Sequence, residues 1–283
     1  MVLEKYKQKR NFTSTPEPSG DVKLAEERAK KERTSQSFFF CVQKHLASHL
    51  HYDFRLEHRG GLLSWAVPKG PSLDPKTKRL AMMVEDHPIE YGTFEGVIPE
   101  GYGAGIVMLW DQGTWTPESA DVDAALKKGD LKFRLDGFKL KGSWVLVRTG
   151  GRYPGGSGDR SWLLIKHRDE WAGDVDITTF ASKSVKSEGD FEDILAQDRP
   201  DVWESNRAAP AKGGEAGAML AKIIERAAAI KAGKAAAAAA PASRATATSA
   251  KSSKSTTTLN KPGASSKASG VKKKAVAKRR TTS

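Results

Sequence analysis

A mostly β fold is predicted: a compact antiparallel β-barrel with a few short flanking helices and a disordered C-terminal tail. Three observations predict it. From residue 37 onward, short apolar or alternating runs are separated by Gly, Pro and Asp, the mark of a strand-rich domain. Turn signals punctuate these runs at Arg59-Gly60-Gly61, Asp136-Gly137 and Gly155-Gly156, where tight connections need positive φ. Residues 233–283 contain no aromatic residue and almost no large aliphatic one, so little there offsets the entropy of ordering.

In chain order, residues 1–36 are charged and read as an N-terminal arm, with a Thr15-Pro16-Glu17-Pro18 turn and a helix-prone stretch at 22–33. The barrel domain spans 37–180. Its strands are expected at 37–43, 49–57, 62–67, 79–84, 105–111, 132–135, 138–148 and 161–167, with one short helix at 121–128. Strands this short close most simply into a small barrel or strongly curved sheet, which hides their edges. Residues 181–232 form a linker with a possible helix at 216–231, where Met219, Ile223 and Ile230 share a face. The basic Ala/Ser/Lys-rich tail, 233–283, follows. No internal repeat is present.

The formal charge of +13 is lopsided. Residues 233–283 carry twelve Lys or Arg and no Asp or Glu, which leaves 35 basic against 34 acidic residues in 1–232. A polycation such as Lys272, Lys273, Lys274, Lys278, Arg279 and Arg280 contacts phosphates without reading sequence, in a salt-dependent way. The tail therefore reads as a DNA tether, against the blander reading of a solubilising segment. The single Cys41 excludes an internal disulfide and any multi-cysteine zinc site, and its setting among Phe38, Phe39, Phe40 and Val42 suggests a core thiol. No apolar run is long enough to cross a membrane and no signal-peptide core opens the chain. A soluble cytoplasmic protein without membrane contact is expected.

The most informative segment is Leu50-His51-Tyr52-Asp53-Phe54-Arg55-Leu56-Glu57. Unbroken alternation on a strand turns Leu50, Tyr52, Phe54 and Leu56 inward and presents His51, Asp53, Arg55 and Glu57 in a row on the other face. His45 precedes His51 by six residues, and a turn over Leu46-Ala47-Ser48 brings it back to His51 and Asp53. Two imidazoles and a carboxylate suit Mn²⁺, Fe²⁺ or Zn²⁺ with open positions for phosphate and water. His49 and His58 are not expected to be ligands.

Groups fitted to phosphate follow: Lys69, Arg79, Glu85, His87 and Tyr91. Arginine offers a planar fork, lysine a point charge, and histidine or tyrosine a donor near a leaving oxygen. Trp65, Trp110, Trp115, Trp144 and Trp162 could stack bases, but core packing is the stronger expectation for most. The glycine-rich stretch 92–105 fits no phosphate-loop spacing and reads as a tight loop beside the site.

Together Gln43-Lys44-His45, Leu50 through Glu57, Ser64-Trp65-Ala66-Val67-Pro68-Lys69-Gly70-Pro71-Ser72, Glu85-Asp86-His87-Pro88 and Tyr91 resemble the 3′-phosphoesterase domain of bacterial DNA ligase D. The likeness is colinear from about residue 3 to 171 and continues through Trp110-Asp111-Gln112-Gly113-Thr114-Trp115 and Lys139-Leu140-Lys141-Gly142-Ser143-Trp144. It implies a manganese-dependent enzyme on a β-barrel that removes a terminal ribonucleoside and then the 3′-phosphate from DNA ends in non-homologous end joining. By resemblance, His45, His51 and Asp53 hold Mn²⁺. Arg55, Lys69, Arg79, His87 and Tyr91 surround the phosphate, and Glu85 orients a basic neighbour.

The family's arm adds an Arg-Asp pair and a later Glu to the diesterase step; here the matching residues are Arg10, Asn11 and Glu17. Asn11 cannot act as a carboxylate, so weakened diesterase with retained 3′-phosphatase is expected. No Lys-x-Asp-Gly nucleotidyl-transfer motif is present, since Leu135-Asp136-Gly137 lacks the lysine. The expectation is a stand-alone, monomeric, nucleoid-associated enzyme of a bacterium or archaeon, acting on DNA 3′ ends with a Ku-like protein and a separate DNA ligase as partners. The alternative is a non-catalytic DNA-end-binding adaptor, which would have no need of a complete set of metal and phosphate groups.

Overall fold

The computed structural model describes residues 37–99, 103–150, 158–197, 199–202 and 215–239. The chain divides into two units, Met1–Ala240 and Pro241–Ser283, and every described residue lies in the first.

Nine antiparallel strands follow one another: β1 (Phe38–Leu46), β2 (Leu50–His58), β3 (Gly61–Val67), β4 (Arg79–Met83), β5 (Gly96–Ile98), β6 (Gly105–Pro117), β7 (Asp130–Gly137), β8 (Lys141–Arg148) and β9 (Ser161–Lys166). Their order in the sheet is β1-β2-β3-β4-β9-β8-β7-β6-β5, and β6 also pairs with β1. That last pairing closes eight strands into the expected barrel, with β5 attached beside the start of β6. A Cβ at Gly105 would fall 1.9 Å from the Leu46 carbonyl oxygen, so the closing strand starts on a residue without a side chain.

The turns follow their residues. Between β2 and β3, Arg59 (φ 50°) and Gly60 (φ 74°) both take positive φ, the pattern of a two-residue hairpin loop whose twist matches its strands. The helix α1 (Val122–Lys128) starts at Asp121, whose carboxylate accepts from the Ala124 N–H at 2.9 Å, and stops at the left-handed Gly129. Farther along lie α2 (Ile177–Phe180), α3 (Phe191–Leu195) and α4 (Glu215–Ala239). α4 docks through Ile223, which joins the main core, and through Arg226, which donates to Glu192 at 2.9 Å.

The barrel interior is filled by large rings. Trp65, Trp110, Trp115, Trp144, Trp162, Phe40, Phe54 and Phe133 are all buried there, so these tryptophans are core residues and not stacking platforms. Cys41 is likewise buried, and burial pushes its thiol up to about 12, which rules it out as a thiolate nucleophile at neutral pH.

The structure departs from the sequence reading in three places. Residues 138–148 are not one strand: β8 starts at Lys141, because the Asp111 carboxylate captures the N–H groups of Lys139 and Leu140 at 3.0 and 2.8 Å and turns the chain. The stretch after β4 is not a bare loop but a 3₁₀ turn, Ile89–Thr93, followed by β5. And β1 and β6 run on to Leu46 and Pro117, past the expected ends at 43 and 111. The polar row of β2 lies on the outer surface of the barrel, where residues 85–98 cover its middle members Asp53 and Arg55 as a roof, with Tyr91, Phe94, Ile98 and Val107 forming a second small core.

Candidate metal centre

The β1–β2 hairpin assembles the centre by register alone. Antiparallel pairing sets His45 opposite His51, Gln43 opposite Asp53 and Cys41 opposite Arg55, and alternation puts all of them on the outer face. A bulge at Trp110 shifts the β1–β6 register between Val42 and Gln43, so that Val107 of the roof core comes to lie beside His45.

Nδ1 of His45 is 3.5 Å from Oδ2 of Asp53, and Nε2 of His51 is 3.6 Å from its Oδ1. One potential ligand atom from each residue lies within 4.8 Å of the others. Each imidazole spends its remaining nitrogen on the backbone: His45 Nε2 donates to the Gly103 carbonyl at 2.8 Å and His51 Nδ1 to the His49 carbonyl at 2.9 Å. These bonds select the tautomers that leave His45 Nδ1 and His51 Nε2 as acceptors facing the carboxylate, the usual support of metal-ligating histidine. Three acceptors facing one another need a shared positive charge between them, and two nitrogens with one carboxylate oxygen fit a divalent transition metal. His51 is the most exposed member, at 22 % against 6 % and 9 % for His45 and Asp53, so the centre opens on its side.

The electrostatics agree with that reading. Burial lowers the His45 imidazole below its ordinary value, against the pull of Asp53. Burial also opposes protonation of His51, but the charge of Asp53 and its hydrogen bond outweigh it and raise the pKa. For Asp53 burial alone would favour the neutral acid, yet Arg55 and His51 hold its carboxyl well below the usual range. The centre is thus poised to hold a cation.

Arg55 stands behind the triad, only 2 % exposed. Its Nη2 donates to Asp53 Oδ2 at 3.1 Å, Nε to Gln43 Oε1 at 2.8 Å, and Nη1 to Ser64 Oγ at 2.7 Å, while Nη1 also lies 2.9 Å from His87 Nδ1. Nε, Nη1 and Nη2 each donate within the protein, so Arg55 is first a fixed positive charge that keeps Asp53 ionised. The roof sits on this guanidinium. The Tyr91 ring lies 4.9 Å from Arg55 Cζ, the His87 ring is tilted against Tyr91 with centroids 5.0 Å apart, and Tyr91 stacks 5.6 Å from Phe94. Nδ1 of His87 is also 2.8 Å from the Glu85 carbonyl. A guanidinium only donates and a carbonyl only accepts, so two neighbours make opposite demands on the Nδ1 proton.

The structure therefore brings together His45, His51, Asp53, Arg55, His87 and Tyr91, with Glu85 present through its carbonyl. Lys69 is exposed in the turn after β3, beyond the point where Val67 pairs with Tyr52. Arg79 opens β4 opposite Leu164, in the row of the interior residue Ala81, and its Nε is buried without a hydrogen-bond partner. Among the described residues no hydrogen bond or ion pair ties Lys69 or Arg79 to the triad. Glu57, last in the polar row, accepts from the Phe39 N–H at 2.7 Å and serves the barrel. Arg10, Asn11, Glu17, Lys272, Lys273, Lys274, Lys278, Arg279 and Arg280 lie outside the described residues.

Two supporting residues had gone unassigned. Gln43 is fully buried, and its amide donates to the carbonyls of Tyr91 and Phe94 at 2.8 and 3.0 Å while accepting from Arg55. Ser64, opposite Arg55 in register, accepts from the guanidinium and donates to the Leu62 carbonyl at 2.9 Å. The signal for both was the hairpin register: once His45 faces His51, Gln43 must face Asp53.

Residues 43–148 match the family model described as DNA Ligase D 3′-phosphoesterase domain. The chain is 46% identical over 226 residues, 79% of its length, to the multifunctional non-homologous end joining protein LigD of Pseudomonas aeruginosa, and spans 24% of that protein. It is 41% identical over 150 residues, 53% of its length, to the LigD of Mycobacterium tuberculosis H37Rv, and 37% identical over 176 residues, 59% of its length, to that of Mycolicibacterium smegmatis. It spans 18% and 21% of those two proteins, so about a quarter or less of each of these relatives is represented.

Proposed function

We propose, for a chain whose residues 43–148 carry a DNA ligase D 3′-phosphoesterase domain, that it is a Mn²⁺-dependent 3′-end-processing enzyme acting on DNA ends, or RNA-terminated DNA ends, in non-homologous end joining. The observation that carries this reading is the convergence of His45, His51 and Asp53, with ligand atoms within 4.8 Å, on a guanidinium roofed by His87 and Tyr91. An adaptor that only binds ends has no use for a buried two-histidine, one-carboxylate set whose tautomers and ionisation are fixed by neighbours.

His45, His51 and Asp53 would hold the ion. When bound, a divalent metal supplies Lewis-acid stabilisation of phosphoryl charge. The protein's own groups do the rest. Asp53, kept ionised by Arg55, balances charge, and Arg55 adds a preorganised positive field at the phosphoryl group without having to reorient. Lys69 and Arg79 are proposed to reach the non-bridging oxygens as substrate enters. His87 is the candidate to donate the proton that the leaving ribose oxygen requires, with Tyr91 holding its ring in place. Hydrolysis of the monoester consumes one water and yields a 3′-hydroxyl and inorganic phosphate.

Arg10, Asn11 and Glu17 are proposed to serve the ribonucleoside diesterase step, with Asn11 weakening it. The protein is proposed to act in the cytoplasm, at the nucleoid, as a monomer alongside a Ku-like protein and a DNA ligase; among the described residues no helix is long and apolar enough to cross a membrane. One primer-template with a 3′-terminal ribonucleotide, assayed with Mn²⁺, tests both activities. The expected result is phosphate release from a 3′-phosphate end together with a diesterase step that accelerates in Asn11→Asp. Binding of the end with no turnover of either bond would favour the adaptor.

A further inference from the structure

We propose that Glu95, held by Ser184, is a positioning residue that fixes the roof over the metal centre, which makes the segment 184–202 a working part of the site. The proposal rests on the phosphoesterase reading of that centre.

The roof bears His87 and Tyr91, and on its inner side Gln43 holds it through the carbonyls of Tyr91 and Phe94. On the other side it is held by residues far along the chain. Glu95 is 5 % exposed, and its Oε2 accepts from the Leu109 N–H at 2.8 Å and from the Ser184 hydroxyl at 2.5 Å. Leu109 is the residue that pairs with Gln43 across the bulge, so Glu95 grips the strand beside the one that carries His45. A buried carboxylate is costly unless its oxygens are satisfied, and here the donors come from β6 and from the downstream segment.

The Ser184 hydroxyl is not free to turn away. Its oxygen accepts from the N–H groups of Lys186 and Ser187 at 2.9 and 3.0 Å, which commits its single hydrogen to Glu95. The same segment is fastened at three further points. Val185 N–H donates to the Leu109 carbonyl at 2.9 Å, Lys186 Nζ to the Thr93 carbonyl at 3.2 Å, and Val97 N–H to the Asp201 carbonyl at 2.8 Å. Gly96 makes the last contact feasible, since a Cβ there would fall 2.1 Å from the Asp201 carbonyl oxygen. The roof is therefore clamped between β6 and residues 184–186 and 201, and none of these hydrogen bonds involves His45, His51 or Asp53.

The full chain carrying Glu95→Ala, Glu95→Gln or Ser184→Ala separates this role from general stabilisation. Four quantities are read: amide exchange of residues 89–98, Mn²⁺ affinity, affinity for inorganic phosphate in the presence of Mn²⁺, and kcat and KM on a 3′-phosphorylated oligonucleotide. Losing a hydrogen bond to a charged group predicts about tenfold or greater acceleration of exchange and about tenfold weaker phosphate binding in Glu95→Ala and Ser184→Ala. KM should rise with it, Mn²⁺ affinity should stay within about twofold, and Glu95→Gln, whose amide oxygen still accepts, should restore most of the loss. Ser184→Ala carries the test by itself if Glu95→Ala does not fold. Unchanged exchange, faster exchange with unchanged phosphate affinity, or Mn²⁺ affinity falling in step with phosphate affinity would each overturn the proposal. If the parent chain releases no phosphate from the oligonucleotide, the phosphoesterase reading fails, while exchange and phosphate binding still decide the clamp.

Discussion

At the scale of single residues, the centre is a set of directed bonds more than a set of charges. His45 and His51 are metal-competent because Gly103 and His49 take the hydrogen from the far side of each ring, and Asp53 stays ionised because Arg55 cannot leave it. Gln43 joins these parts. Replacing it with Leu strands Arg55 Nε and removes the amide's bonds to the carbonyls of Tyr91 and Phe94, at roughly 1–3 kcal/mol for a stranded buried group. Gln43→Leu is thus expected to lower the melting temperature by several degrees, about 2–4 °C per kcal/mol, and to weaken phosphate binding more than Mn²⁺ binding. A melt superimposable on that of the parent chain would contradict it. The metal triad and Arg55 were legible from alternation and spacing, because one strand carries three of the four. Gln43 and Ser64 were not, because their importance is a matter of which residue faces which across a ladder. The place of Arg79 opposite Leu164 likewise follows from a strand register that no local pattern announces.

At the scale of elements, alternation located most strands within a residue or two, yet it missed what tertiary hydrogen bonds decide. The β7–β8 turn is an example. Phe138 is apolar and reads as strand, but it is 70 % exposed, because Asp111 draws the next two N–H groups into a turn. That carboxylate also yields a pH prediction. Burial, partly offset by those N–H bonds and by Lys139, raises the Asp111 pKa to about 6 from 3.8. A raised carboxyl pKa means that the folded state binds the proton more readily than the unfolded one. Asp111's favourable share is complete below about pH 4 and is lost as pH rises through about 6, on the order of 2–3 kcal/mol. Urea unfolding of the parent chain and Asp111→Asn between pH 4 and 8 should show the parent losing stability relative to the variant across that window. A difference that is flat with pH would refute the assignment. The roof was the other element beyond local reach: glycine-rich spacing suggested a loop beside the site, but its packing against Arg55 comes from contacts some fifty residues apart, such as Gln43 with Phe94.

At the scale of the whole molecule, the barrel keeps its interior for packing and places chemistry outside. Five buried tryptophans and their aromatic neighbours form the inner core, while Asp53 and Arg55 of the β2 polar row are buried beneath a separate cover. A rigid closed sheet suits this task, since ligand directions set by strand register need no further ordering when an ion binds. We propose that the tail supplies general nucleic-acid affinity, since residues 1–232 are near neutral while 233–283 carry twelve cations and no acid. Deleting 233–283 should flatten the slope of log K against log salt for duplex DNA while leaving turnover of a saturating substrate intact; an unchanged slope would remove the tail from DNA binding. We propose His45, His51 and Asp53 as the metal centre at which a 3′-phosphate is hydrolysed. Its most direct test is to titrate Mn²⁺ into the parent chain, His51→Ala and His167→Ala, and to follow phosphate release from a 3′-phosphorylated primer-template in the same samples. The account predicts that His51→Ala loses roughly a hundredfold or more in Mn²⁺ affinity, beyond what outer-shell changes cost, and all Mn²⁺-dependent release, while His167→Ala keeps both. Undiminished Mn²⁺ binding and phosphate release in His51→Ala would contradict it.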